Sequence, residues 1–276
     1  METVRKGYER DLPQVKELWN ECFGEDEFAE WFFARLYCEE FLRVYEVDGE
    51  IVSMAFCFPK TLIVQGKEYR AWYLYGIGTK TESRGHGFAK RLISACVSEA
   101  KGRGMELCFL IPAEQSLFSY YRTCGFDLAW TRAEETCVET RSSSEITIDS
   151  TNDFTQVNAI YERVWDGYLK RTEREWELLS EEFRMADGNL YLLKREQIVV
   201  GYCFAMKEAD VLKIRELGLL QSEKTDAVCH ALAHTLHAKT WNLTHPGEGT
   251  PFAAVLPFAE ELRSVGVFIN CDLLHN

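Results

Sequence analysis

The sequence predicts an α/β (α+β) fold in two successive domains, each a mixed central β-sheet flanked by α-helices. Three observations carry this. The order helix, helix, hairpin, strand, helix, strand, helix runs through the chain twice. Each pass mixes amphipathic runs of helical period with short β-branched and aromatic runs. A polar run, Arg141-Ser142-Ser143-Ser144-Glu145, stands between the passes, giving expected domains of 1–142 and 143–276.

In the first pass, Asp11-Leu12-Pro13 opens a helix with Val15, Leu18, Trp19 and Cys22 at apolar positions, and a second helical stretch covers about Phe28 to Tyr37. A hairpin follows, FLRVYEV and IVSMAFCF about the turn Asp48-Gly49. A further strand pair turns at Gln65-Gly66-Lys67 and leads into the apolar strand YRAWYLYGIG. After the stretch SRGHGFAKRL comes a helix with Ala89, Leu92, Ile93, Cys96 and Ala100 on one face, ending near Gly102, then the strand ELCFLIP. The second pass reads FTQVNAIYERVW and REWELLSEEF as helices, and NLYLLK and IVVGYCFAM as a strand pair. LKIRELGLL is a strand, Thr225 to Lys239 a helix, FAAVL a strand and FAEELRSV a last helix-like run.

Composition narrows the function. A net charge of −13 argues against non-specific binding to nucleic acid or an anionic membrane and mildly favours cationic small substrates. No stretch approaches the roughly 20 apolar residues of a membrane span, and the N-terminus carries no apolar run of signal-peptide type, so a cytoplasmic protein is expected. The ten cysteines are scattered without CxxC pairs and read as reduced, mostly small core residues. His230, His234 and His237, with Cys229 beside them, recur along one helix face, but HALAH lacks the glutamate of HExxH, and no metal is expected.

The stretch SRGHGFAKRL joins a strand to a helix, where the first backbone N–H groups lack partners and the helix dipole is positive. Gly85, Gly87 and the small Ala89 leave room there for a phosphate-sized anion, Arg84 adds a fixed positive charge, and His86 adds a donor. A plain tight turn would look the same locally. The surroundings distinguish them. Residues 75–89, YGIGTKTESRGHGFA, resemble motif A of the GNAT superfamily of acetyl-CoA-dependent N-acyltransferases, with Arg84, Gly87 and Ala89 at the defined positions of Q/R-x-x-G-x-G/A. SLFSYYRTCGF resembles its motif B, with Tyr121 four residues before Gly125-Phe126. The resemblance covers residues 1 to about 140, and the tandem order resembles the first two domains of the enhanced intracellular survival type of acetyltransferase.

That resemblance implies acetyl-CoA as co-substrate, its pyrophosphate on Arg84, Gly85, His86, Gly87, Phe88 and Ala89 and its pantetheine arm beside Ile77, Gly78 and Thr79. It implies direct attack by a primary amine, a main-chain N–H near Ile77 or Gly78 for the oxyanion, and Tyr121 as the general acid that protonates the departing thiolate. The acceptor is a small, cationic amine; a protein lysine or N-terminus, or a silent acyl-CoA-binding module, are the alternatives. The general base is left unassigned among Glu114, Glu39, Glu40, Asp26, a water relay and, by analogy with the survival proteins, the terminal carboxylate of Asn276. In the second half QSEKTDAVCHAL lacks an arginine-glycine pair, and Leu262 stands four residues before Gly266 where the first half has its tyrosine. A degenerate domain without a cofactor loop is expected there, with a structural role: covering the open sheet, walling the acceptor cleft or forming a homo-oligomer. Removing it should leave the cofactor loop itself largely intact.

Overall fold

A computed structural model describes residues 1–138, 146–220 and 224–263. In chain order the elements are β1 (Glu2–Lys6), α1 (Leu12–Phe23), α2 (Glu27–Arg35), β2 (Leu42–Val47), β3 (Glu50–Val64), β4 (Lys67–Thr79), α3 (Phe88–Gly102), β5 (Leu107–Leu110), α4 (Leu117–Thr123) and β6 (Leu128–Val138). Then follow β7 (Ile146–Ser150), α5 (Phe154–Val164), β8 (Gly167–Leu169), α6 (Glu173–Met185), β9 (Gly188–Arg195), β10 (Ile198–Glu208), β11 (Val211–Leu219), α7 (Thr225–Thr235), β12 (Thr240–Pro246) and β13 (Thr250–Pro257). The mixed α/β class is as expected. No helix among the described residues is long and apolar enough to cross a membrane.

Two compact units form, and neither is continuous in sequence. Among the described residues the first holds 1–62, 68–130 and 251–263, and the second holds 63–67, 131–138, 146–220 and 224–250. The strands of the first run in the order β1-β2-β3-β4-β5-β13, those of the second β7-β9-β10-β11-β12-β6. Each has one parallel pair, β4 with β5 and β11 with β12, and a helix, α3 or α7, makes the crossover that a parallel pair requires.

These units differ from the expected ranges 1–142 and 143–276. FAAVL, expected as a strand of the second half, lies in β13 and pairs antiparallel with β5 of the first unit, Ala254 opposite Leu110 and Leu256 opposite Cys108. The place beside β11 belongs instead to β12, TWNLTHP, a strand that the sequence reading passed over. β6 in turn pairs with β12, Trp241 opposite Cys137. The physical reason is that an edge strand offers unpaired N–H and C=O groups to any extended segment that reaches it, and a run such as FAAVL does not encode which edge it meets. The run FAEELRSV forms a short 3-10 turn at Glu260–Arg263, its last two residues, 264 and 265, lying outside the described residues. Leu262 thus belongs to the first unit rather than to a second tyrosine-motif position, and the expected boundary run 141–145, Gly266 and Asn276 lie outside the described residues.

Strand alternation sorts the first unit's core. Ala55, Cys57, Trp72 and Leu74 face Leu92, Ile93, Cys96 and Ala100, the predicted apolar stripe of α3. Phe56, Phe58 and Tyr75 turn to the other face, where Trp19 of α1 stacks on Phe32 of α2 at 4.4 Å between centroids and Phe32 meets Phe56 at 5.1 Å. Asp11 is buried, and the Arg5 guanidinium beside it holds its carboxyl below the usual carboxylate range, against the opposing effect of burial. Among the described cysteines, Cys57, Cys96, Cys108, Cys203 and Cys229 are free and buried, and Cys22, Cys38, Cys124 and Cys137 are free and partly buried.

The second unit repeats this plan with α7 on one face. Val228, Cys229 and Leu232 pack on Cys203, Leu212 and Ile214, and His230 accepts a hydrogen bond from the Trp241 indole at 3.3 Å. Its other face buries a charge pair. Arg171 forms a fork with Glu216 at 2.9 and 2.8 Å, and its guanidinium lies 4.4 Å from the Tyr161 ring and 4.5 Å from Trp176. The Tyr202 hydroxyl donates to Glu216 at 2.7 Å, and burial beside that carboxylate pushes its pKa well up.

Two outcomes follow. A chain truncated to residues 1–142 lacks β13 and is expected to show no cooperative thermal transition by circular dichroism; a native-like transition would contradict the pairing. Glu216→Gln strands the Arg171 charge, which is 1% exposed, and is expected to destabilise the protein by about 3–5 kcal/mol in a denaturant titration.

Candidate active site

β4 and β5 pair over three positions only, Ala71 with Leu107, Trp72 with Cys108 and Tyr73 with Phe109. Residues 74–79 of β4 run on past the end of that ladder. Gly76 bends the strand here: its φ is +57°, and a side chain at this position would meet Trp19 at 2.9 Å and Phe56 at 3.3 Å, so glycine alone suits both the conformation and the space. Beyond the bend, Lys80 N–H donates to Val52 O at 3.0 Å and Gly78 O accepts from Ser53 Oγ at 2.8 Å, both on β3. Backbone groups alternate in direction along a strand, so Ile77 and Thr79 turn theirs away from β3. Thr79 O is taken by Arg84 Nε at 3.1 Å, which leaves the Ile77 N–H and C=O directed to the side where β5 has ended.

The loop after β4 brings six predicted residues together. Gly85 and Gly87 have φ of +83° and +77°, and Gly87 is the N-cap of α3 with no side chain capping the helix. A side chain at Gly85 would meet no atom within 4 Å, and one at Gly87 only Arg91, so the front of the loop is clear of protein. Phe88 and Ala89 begin α3, and its first amides point toward that space without intrahelical partners. Arg84 is exposed, with its guanidinium close to Thr79 O and the Cys22 thiol. His86 folds back onto the loop. Its Nδ1 lies 3.1 Å from Arg84 O and its ring stacks near Phe88, so this nitrogen donates to the loop's own carbonyl.

Two residues near the loop escaped the sequence reading. The Arg91 terminal nitrogen lies 3.7 Å from where a Gly87 side chain would begin, and its Nε donates to the Tyr45 hydroxyl at 2.9 Å, which fixes a second positive charge beside the loop. Its position one turn past the N-cap was the available signal. Cys22 places its Sγ 3.6 Å from Thr79 O and over Gly78, with burial raising its pKa.

Tyr121 sits in α4 and is 8% exposed, in the same core cluster as Leu74, Leu92, Ile93 and Phe126, with Ile77 and Phe88 packed against it. Its carbonyl accepts from Cys124 N and Phe126 N, closing α4 into the turn at Gly125. The hydroxyl has no hydrogen-bond partner among the described residues, and burial pushes the phenol up to about 12. A phenol so shifted keeps its proton where a thiol of ordinary pKa, about 8.5, is losing its own.

The base candidates divide by what they already hold. Asp26 caps α2, accepting from Ala29 N at 2.8 Å, and Glu39 accepts from the Glu9 amide. Glu114 is exposed and accepts from Ser116 Oγ at 3.1 Å, and Glu40 gives its carbonyl to Arg43. None of these contacts assigns a base.

Comparison with known proteins places this geometry. No curated protein sequence matches the chain. In fold the chain is similar to a protein of Enterococcus faecalis named a probable N-acyltransferase (TM-score 0.76, 16% identity, 94% of this chain and 73% of that one). It is similar also to a GCN5-related N-acetyltransferase of Anabaena variabilis (0.73, 17%, 92% and 70%) and to Eis1 of Mycobacterium abscessus (0.70, 15%, 94% and 74%). Residues 3–129 match the family model of the acetyltransferase (GNAT) domain. The stretch from β1 to the start of β6, which carries the open loop and Tyr121, is thus the part of the chain that is similar to a GNAT acetyltransferase domain.

Proposed function

We propose that the protein transfers the acetyl group of acetyl-CoA to the primary amine of a small cationic acceptor in the cytoplasm. The observation that carries this is the clear, uncapped loop at the start of α3, flanked by Arg84 and Arg91 and leading from the end of β4 that runs past its ladder with β5. Residues 84–89 would hold the coenzyme's pyrophosphate on main-chain N–H groups, and the backbone of Ile77 with Gly78 and Thr79 would pair with its pantetheine arm. Acetyl-CoA supplies an activated acetyl thioester. The Ile77 N–H is the donor that best fits the developing oxyanion, because Gly78 turns toward β3. Tyr121 holds the proton that the coenzyme's sulfur takes up on leaving. The net charge of −13 supports a cationic acceptor, through long-range attraction rather than a defined pocket.

The second unit is proposed as a degenerate GNAT-like domain without a cofactor loop. α7 opens from Lys224 at φ −90°, where α3 opens from Gly87 in the left-handed region.

A thiol-release assay with acetyl-CoA across a panel of polyamines, aminoglycosides and lysine peptides tests the reading; wild type that neither binds coenzyme A nor releases thiol would sink it. Arg84→Glu is expected to weaken coenzyme A binding roughly tenfold or more by calorimetry, as loss of a charge-assisted hydrogen bond costs about 1.5–3 kcal/mol. Tyr121→Phe should lower kcat about 100-fold and leave coenzyme A affinity within about twofold. Because burial raises Tyr121 to about 12, its neutral, proton-donating form persists as pH rises, and the wild-type kcat profile should show no alkaline loss well below that value.

A further inference from the structure

The helix that carries Tyr121 is held at both ends by a segment from the far end of the sequence. At its start, Gln115 Nε2 donates to Pro251 O at 2.7 Å. At its end, Gly125 turns at φ +99° and Leu256 lies against it, its two methyl carbons 3.6 and 3.9 Å from where a side chain would begin. One residue past Phe126, Asp127 pairs with Arg263 at 2.9 Å. Leu256 also packs on the cluster that contains Tyr121, and Ala254 is buried in it. The turn under Leu256 is the one whose amides, Cys124 N and Phe126 N, bond to the Tyr121 carbonyl.

We propose that residues 251–263 position Tyr121 for the transfer step, with Leu256 as the principal positioning residue and Gln115 as its counterpart at the other end of α4. The proposal rests on the reading of Tyr121 as general acid. The loop at residues 84–89 stands on a different helix, α3, opening from Gly87, while the contacts of Pro251 with Gln115, of Arg263 with Asp127 and of Leu256 with Gly125 fall on α4 and its flanking turns. Segment 251–263 therefore acts on proton delivery and not on cofactor binding. Displacement of a catalytic group by about 1 Å costs up to about 100-fold in rate, and loss of the Leu256 methyls leaves α4 free to shift by that order.

The test is a double-mutant cycle on the full chain, read as kcat and as KM for acetyl-CoA. Leu256→Ala is expected to lower kcat about tenfold with KM changed less than about twofold, and Leu256→Met, which keeps the volume, is expected to recover most of the loss. In the Tyr121→Phe background Leu256→Ala should cause no further loss of kcat, because the group it positions is gone. An equal loss in both backgrounds, or a loss confined to KM, overturns the positioning role and leaves the role of Tyr121 standing. Wild-type kcat in Tyr121→Phe alone overturns both. If Leu256→Ala does not fold, Gln115→Ala, on the surface, carries the same cycle with the same outcomes.

Discussion

Everything in the first unit hangs on β5, a strand of four residues, Leu107–Leu110, all buried. One edge holds β4 for three pairs and then lets it go; the other holds β13 for four. Its N-terminus receives the chain from α3, and its C-terminus sends it into α4. A longer β5 would extend the ladder along residues 74–79 and occupy the main-chain groups of Ile77. A shorter one would leave β13, and with it α4, without a template. The parting of two parallel strands is thus a consequence of where one ladder stops, helped by the bend at Gly76 that aromatic rings of α1 and β3 press upon.

The two units apply one plan to different chemical ends. In the first, the helix face of the sheet is closed by apolar packing, aliphatic and aromatic, while the loop into α3 keeps Gly85 and Gly87 in the left-handed region and no side chain caps the helix. In the second, the opposite face encloses Arg171 and Glu216 among Tyr161, Trp176 and Tyr202. Enclosing an ion pair is seldom a net gain over apolar packing, yet it fixes geometry, since each partner would be very costly alone. One unit leaves donors open to solvent. The other holds its Arg171 charge in a two-point fork.

Much of this was legible in the sequence because it is local. The apolar stripe of α3 follows helical period, and Asp48-Gly49 and Gln65-Gly66 show the turn chemistry of hairpins. The loop glycines and Arg84 likewise announce an uncapped helix start. What escaped was non-local. Nothing in FAAVL says that it pairs with LCFL instead of with the strand before it, and TWNLTHP, short and closed by proline, gave a weak strand signal. β1, with the pattern ETVRK, lacks the apolar alternation of a core strand. Sequence spacing does not separate Arg91 from any other cation on a helix surface; the Tyr45 hydroxyl, distant in sequence, is what holds it beside Gly87. The base stayed out of reach because the carboxylates of Asp26, Glu39 and Glu114 serve caps and turns, roles that sequence spacing does not separate from catalysis.

Because β13 comes from residues 250–257, the order in which the chain is synthesised matters. When the ribosome has released α4, the first unit has every residue of the loop at 84–89 and of the helix that carries Tyr121, but β5 still lacks the strand that covers its second edge. The second unit's strands, helices and β12 must all emerge before that edge is covered. Closing so long a loop is slow, and an uncovered apolar strand is the kind of surface on which nascent chains associate. Among the described residues the first unit is therefore the one completed last, though most of its sequence is translated first.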